Sequence, residues 1–561
     1  MTMYRARDAG DSAPMRTHLA LSRRLLPLAG LATLAPAIAL APALVGGCGS
    51  GSSGASSGSS GTSSGSSGVG SGSSGASSTG STTGSSTGAG AGTSTGSSGA
   101  SGTASGSAGA GSGGSGASGG AIEDAGDAGD ATTPKKEVLY ANSGLNFNAF
   151  DLDPTSGVLT PGPSIAFPGT LQFASFDSTY TKLYAGVGAA AEPAHSFYAF
   201  AIDPTTGALT QVPAATDAAP GFVNSPNGRI INLTLSRDDK YLLAVHNVTE
   251  AYTVFQLNTD GTIGARVPQA DGGDVNIGAF LHQIRVDPSN QYATICDRGN
   301  DPTYGADGGI TQPEEVGHLR VFTYANGVLT PLNTLTFPTG IGPRHLDFHP
   351  TKPWVYLSAE RGNRLITYSF ASGVLTQMFD ASSVALAADM GTLNATEAIN
   401  GQRAGAIKVH PSGKFLWITN RNYALEPYTP EAGTGDASSD AGDGAADAGD
   451  GAAAAPTQVF IGGENNVALF SIDQTTGEPT FVSAADSHGF EPRTFTLDPS
   501  GNFVVVGNQK DIFTATASGL VEVKPNLSVF SVGLDGTLTF VKTYPQTTGE
   551  VLWVDSTALP Q

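Results

Sequence analysis

Residues 341–363 read IGPRHLDFHPTKPWVYLSAERGN and bring Arg344, His345 and Glu360 together in a chain dominated by glycine, serine, threonine and short apolar runs. A carboxylate or an imidazole can take a proton from water, and a guanidinium can hold a carboxylate or phosphate through paired hydrogen bonds or face a developing oxyanion. Those residue types suit hydrolysis of a carbonyl compound that carries a negative charge. A plainer reading stands beside it. Glu360 with Arg361 or Arg344 can be an exposed ion pair, worth less than about 1 kcal/mol. The Pro-Arg pair also recurs at Arg493, so part of the pattern fits a repeated strand-opening geometry. No Ser/His/Asp spacing, Walker loop, CxxC pair or HExxH motif is present, which leaves other enzyme classes without support.

The elements that carry these residues repeat. An alternating apolar strand, a turn at glycine and Leu-Thr or a near equivalent occurs seven times, as in NFNAFDLDPTSGVLT, SFYAFAIDPTTGALT and NVALFSIDQTTGEPT. Alternation followed by a glycine turn is a hairpin signal. A second pattern precedes most copies: a strand, a DPS or HPT turn and another strand, as in HQIRVDPSNQYATIC, RHLDFHPTKPWVYLS, AIKVHPSGKFLWIT and RTFTLDPSGNFVVVG. Four strands in each of seven units predict an all-β chain folded as a seven-bladed β-propeller. KEVLYANSG matches a second strand, and GEVLWVD near the C-terminus matches the innermost strand that the first unit lacks. Both chain ends are therefore expected to share one blade, hiding sheet edges. The innermost strands are expected to start near 171, 229, 281, 343, 404, 492 and 551.

GPRHLDFHPTKPWVYLSAERGNRLITYSF, LHQIRVDPSNQYATICDRGND, AIKVHPSGKFLWITNRN and PRTFTLDPSGNFVVVGNQ resemble the seven-bladed lactonase family, which includes 6-phosphogluconolactonases and carboxy-muconate cyclases. The resemblance covers about residues 137–555 apart from insertions. It implies a site made of His282, Arg344, Glu360 and Arg421; His345, beside Arg344, is expected in substrate binding, and no metal or cofactor is expected. Topology supports the same set. His282 and Arg344 open innermost strands, and Glu360 and Arg421 close second strands, so all four fall on one face in three consecutive blades. Strands of five or six residues span only about 17–20 Å, which keeps the four near one another. The expected activity is metal-independent opening of an anionic sugar-acid or muconate-type lactone, with Glu360 or His282 as base and Arg344 and Arg421 as anion or oxyanion holders. The chain departs from the family pattern at Phe280, where a second histidine is common, and at Arg298, which follows Asp297. Two insertions, roughly 302–316 and 425–457, follow second strands and are expected to rise on the site's face.

Outside the propeller, residues 1–48 read as an export signal. Arg16, Arg23 and Arg24 precede an apolar run, and VGGC resembles a bacterial lipobox that would lipidate Cys48. Val45 stands where the pattern prefers leucine, and Pro27, Pro36 and Pro42 argue against a lasting membrane helix. Residues 49–134 form a Gly/Ser/Ala-rich linker; its stretch 49–120 has no charge and few apolar side chains, so it is expected to be a disordered tether with a span of roughly 45 Å. The folded domain is expected over 135–561, with a disordered acidic insertion at about 425–457. Cys296 is left without a disulfide partner and is expected in a buried strand. A formal net charge of −21 with no basic face excludes nucleic acid as a partner. The expectation is a monomer, exported and anchored to a membrane only by its lipidated N-terminus, acting on a small anionic lactone. The competing expectation is a tethered propeller that binds a ligand or protein without catalysis.

Overall fold

Each glycine in the repeated hairpin turn is required twice over. Gly477 has φ +80°, and a Cβ there would sit 2.7 Å from the Trp354 ring of the preceding blade. Gly207, at φ +75°, would meet Val138 at 2.9 Å. The turn needs a left-handed residue, and the neighbouring blade packs too closely for a side chain. The computed structural model describes residues 135–189, 195–212, 222–270, 275–304, 309–384, 401–422, 424–428 and 457–560. The signal, Cys48, the linker and most of the acidic insertion lie outside the described residues.

Seven antiparallel sheets follow one another as blades, six of four strands and one, blade 2, with a fifth strand, Phe222–Asn224, paired to its third. Blade 1 takes three strands from residues 137–166 and its innermost strand from Val554–Ala558; blade 2 begins at Gly169, blade 3 at Ile230, blade 4 at Leu281, blade 5 at Pro343, blade 6 at Gln402 and blade 7 at Phe490. Seven apolar clusters fill the seven gaps between adjacent blades, so the ring closes. Aromatic side chains on second strands also reach into the next blade's hairpin. Tyr140 donates to the Gly207 carbonyl at 2.7 Å, Tyr356 to Gly477 at 3.0 Å and the Trp417 indole to Gly536 at 3.0 Å. Burying these rings while satisfying their polar atoms is what makes them suitable pins.

The shared blade forms as expected, with Tyr140 opposite Asp555 in register. Its innermost strand starts at Val554 rather than near 551, for a local reason. Asn142 Oδ1 accepts from the Leu552 and Trp553 amides at 2.9 and 2.8 Å, so a side chain takes the place of the strand ladder there. Cys296 lies buried in the strand Tyr292–Asp297.

The closing seam carries a buried carboxyl pair. Glu137 of blade 1 meets Asp498 of blade 7, and the two are 6% and 2% exposed. Asp498 already accepts from the Phe503 amide at 2.7 Å and from Ser500. Burial first, and then the charge of Asp498, push the Glu137 carboxyl up from 4.5 to about 8. Folded Glu137 therefore keeps a proton that the unfolded chain gives up. The stability this supplies is fully present below pH 4.5 and is lost as pH rises through about 8. Thermal midpoints of wild type should fall across that window, and those of Glu137→Gln should fall less; parallel curves would contradict the pairing.

Candidate active site

Three innermost strands open with the same backbone device. Two residues before each key side chain, the chain turns left-handed: Phe280 at φ +67°, Gly342 at +65° and Glu491 at +56°. A bulge follows in each. Leu281 pairs with Asp297 and Gln283 with Cys296, leaving His282 unopposed; Pro343 and His345 pair with Ala359 and Ser358, leaving Arg344; Pro492 and Thr494 pair with Asn508 and Gly507, leaving Arg493. A bulge re-aims the extra residue, and left-handed non-glycine residues store strain that clusters at functional sites. Second strands supply the remaining groups from one equivalent position, the residue after Asp297, Ala359 and Asn420. These are Arg298, Glu360 and Arg421.

The four expected residues do converge, and the cluster is buried rather than an exposed ion pair. Arg421 Nη2 donates to Glu360 Oε1 at 2.8 Å, Arg344 Nε lies 3.3 Å from Glu360 Oε2, and Arg298 Nη1 lies 4.0 Å from Glu360 Oε1. Arg421 Nη1 also reaches Glu491 Oε2 at 3.2 Å. Side-chain exposure is 1% for Arg344, 7% for Arg421 and 11% for Glu360. The His282 and His345 rings pack edge to face at 4.9 Å, and Arg344 Nη1 donates to His345 Nδ1 at 3.2 Å. The guanidinium can only donate, so that nitrogen of His345 is the acceptor. Arg361 is not Glu360's partner; it pairs with Glu314 at 2.9 Å and Asp301 at 3.6 Å.

Electrostatics separates the titratable groups. Burial opposes the Glu360 charge, yet Arg421, Arg298, Arg344 and Arg403 outweigh it and hold the carboxyl down at about 2. Burial and then Arg344 push His282 well below its usual 6.5, and the same two causes act on His345. Both imidazoles are therefore neutral at neutral pH, and His282 Nδ1 is buried without a hydrogen-bond partner. Buried Asp297 fixes the opening of blade 4 by accepting from the Ala279 amide at 2.9 Å, His318 at 2.9 Å and Arg320 at 3.2 Å. Among the described residues, no group of three or more His, Cys, Asp or Glu could hold a metal ion.

Arg298, Glu491 and Arg493 escaped the sequence reading as site residues. Arg298 stacks on Phe280 at 4.3 Å and approaches Glu360, which makes it part of the cluster. Its signal was the alignment of YATICDR with WVYLSAE, which puts Arg298 at the position of Glu360; for Arg493 it was EPRTF beside GPRHL.

The insertions build upward from the same ends. In blade 4, Thr303–Tyr304 pairs with Ile310–Gln312, and Arg361 ties the insertion down through the Asn300 and Glu315 carbonyls. The insertion expected to be disordered from 425 begins instead as a strand, Leu425–Pro427, because it is paired with Gln458–Phe460. That strand pair joins a further hairpin from blade 7, Ile512–Thr516 with Gly519–Val523, through a parallel contact of Val459 with Phe513. Residues 429–456 lie outside the described residues.

Two cavities bear on access. One of about 610 Å³ opens on the opposite face, lined by Asp177, Arg237, Arg285, Lys408 and Asp498. Another of about 280 Å³ lies on the axis between Asn232, Gln283, Thr494 and Trp553, with His345 in its wall. The larger one is remote from the chemistry-bearing side chains, so size is a poor guide here. The axial one touches the cluster from within.

Seven sheets set in a ring, with guanidinium and imidazole groups gathered at the strand ends of one face, define a β-propeller with a basic cluster on that face. Residues 132–516 match the family described as lactonase, 7-bladed beta-propeller, and the chain belongs to that family. A 6-phosphogluconolactonase of Bacillus subtilis is 22% identical over 283 residues, which span 50% of this chain and 63% of that relative. A 6-phosphogluconolactonase of Yersinia pestis is 22% identical over 428 residues, 75% of this chain and 97% of its own. Among solved structures, a Pseudomonas aeruginosa periplasmic gluconolactonase aligns over 76% of this chain and 99% of its own, with 19% identity and a TM-score of 0.53, a likeness of fold.

Proposed function

We propose that this protein hydrolyses a small anionic lactone, of the sugar-acid or muconate type, at the mouth formed by His282, Arg344, His345, Glu360 and Arg421. The observation that carries this reading is a neutral, buried His282 whose surroundings hold more guanidinium than carboxylate: Arg344, Arg493, Arg298 and Arg421 all act on it. Such a setting attracts an anion and leaves one imidazole able to accept a proton. The names of the relatives support the lactone class.

In the proposed reaction, water adds to the lactone carbonyl carbon while His282 takes its proton. Arg344 faces the oxygen on which charge accumulates. Collapse breaks the ring C–O bond, and the proton on His282 passes to the departing ring oxygen, giving a hydroxy acid. The structure favours His282 over Glu360 as base. A carboxyl held at about 2, with Oε1 bonded to Arg421 and Oε2 facing Arg344, is a poor proton acceptor. Glu360 instead orients the two arginines and limits their repulsion. We extend the proposal to location: VGGC would lipidate Cys48 and tether the domain outside the cytoplasm. Loss of radiolabelled palmitate incorporation in Cys48→Ala tests that part.

Ring opening across a panel of lactones tests the substrate class. Charged sugar-acid and muconate lactones should show higher kcat/KM than neutral ones of the same ring size. Equal values would remove the anionic reading, and a folded protein that binds these lactones without opening them would favour the non-catalytic binding module.

A further inference from the structure

Arg493 lies outside the set that either the repeats or the family pattern singled out, yet the backbone presents it as it presents His282 and Arg344. The sequence of events is the same in blades 4, 5 and 7: a left-handed residue, one strand residue, then an unopposed bulge residue. In blades 4 and 7 the left-handed residue is Phe280 or Glu491 rather than glycine, so the turn is kept at some cost in strain. A left-handed turn precedes the bulge in three blades, strained in two of them, and each time delivers a cationic or imidazole group to one face, whereas the bulges that open blades 2, 3 and 6 have no left-handed residue two positions earlier.

The partners divide the site arginines. Arg344 lies against Glu360 and His345, Arg421 bridges Glu360 and Glu491, and Arg298 is bonded to Asp301 at 2.9 Å. Among the described residues, the Arg493 side chain makes no hydrogen bond and no ion pair, although it is partly buried and its charge is felt by His282, His345 and Arg344. The carboxylates of Glu360, Glu491 and Glu550 offset part of its charge through space, but none is bonded to it, which leaves its donors open to an arriving anion. Glu491, two residues earlier, is bonded to Arg421.

We propose that Arg493 is a specificity-determining residue of this site: it receives the substrate's permanent anionic group, a phosphate or a carboxylate remote from the lactone carbonyl, while Arg344 serves the carbonyl end. This rests on the lactonase reading above, and it assigns the two ends of the substrate to different blades. Blade 7 holds the anion, and blades 4 and 5 hold the reacting ring.

The test compares gluconolactone, which is neutral, with its phosphorylated form on the full chain, as wild type, Arg493→Lys and Arg493→Met. The KM ratio of phosphorylated to neutral lactone should rise by about tenfold or more in Arg493→Met, as expected for loss of a charge-assisted contact, with Arg493→Lys recovering part of it. An unchanged ratio in an active Arg493→Met protein overturns the proposal and leaves the lactonase reading intact. If wild type opens neither lactone, the lactonase reading fails by itself. Calorimetric titration with the open-chain phosphogluconate then decides on Arg493: binding about tenfold weaker in Arg493→Met supports the anion site, and equal or absent binding in both proteins overturns it.

Discussion

His282→Gln is expected to lower kcat for lactone opening by about 100- to 10,000-fold while moving KM little, which is the range for losing a positioned general base. The expectation follows from what surrounds the ring. His282 is neutral because it is buried among cations, its Nδ1 has no partner, and the bulge at blade 4 aims it at the mouth rather than into a strand pair. The sign of the pH dependence follows too. A base whose pKa lies well below 6.5 is already deprotonated at neutral pH, so kcat/KM should stay level from about pH 7 upward and fall only on acidification below the histidine range. A glutamine that left kcat unchanged, or a wild-type profile that rose through pH 7, would move the base elsewhere.

Glu360→Gln carries the second large effect, and it falls on stability as well as rate. The carboxylate is the counter-charge for Arg421 at 2.8 Å, Arg344 at 3.3 Å and Arg298 at 4.0 Å, in a cluster nearly closed to water. Removing one member of a buried ion pair leaves the others uncompensated and typically costs about 3–5 kcal/mol. The depressed carboxyl agrees in size: a fall from 4.5 to about 2 corresponds to roughly 3 kcal/mol. That stability is present above pH 4.5 and is lost as pH falls through about 2. Denaturant unfolding of Glu360→Gln at pH 7 should therefore show a loss of a few kcal/mol. The variant should also lose lactone opening, because Arg344 and Arg421 are no longer held in place. A variant as stable as wild type would mean that the arginines find water or another acceptor, and that the ion-pair network does not organise the site.

Much of this was written in the chain, because propeller repeats impose two readable periods. Alternation marks the strands, and the glycine before Leu-Thr marks a turn where Trp354, Val138 or an equivalent side chain of the preceding blade leaves no room for a Cβ. Once the strands are ordered, the face on which His282, Arg344, Glu360 and Arg421 lie follows from direction alone. What stayed hidden depends on departures from regular pairing. Whether Pro-Arg at 493 was a mere strand opening or a site residue could be decided only by the bulge and the left-handed Glu491, features that leave no period in a sequence. Arg298 read as an oddity for the same reason, since its stacking on Phe280 and its approach to Glu360 are contacts between strands of different blades or turns. The sheet built from 425–427, 458–460 and the 512–523 hairpin was not legible either, because its strands come from two separate blades and are too short to show alternation. The late start of the last strand at Val554 reflects one asparagine side chain, Asn142, more than 400 residues away in the chain.

The central claim, that this mouth opens lactones, is tested most directly by proton release when purified protein is mixed with phosphorylated gluconolactone at constant pH, with Arg344→Met run beside wild type. The account predicts ring opening well above the buffer rate for wild type, and a loss of about 100-fold or more in the variant, as for a removed oxyanion partner. Release at the buffer rate by folded wild-type protein, or equal rates for the two proteins, would contradict it.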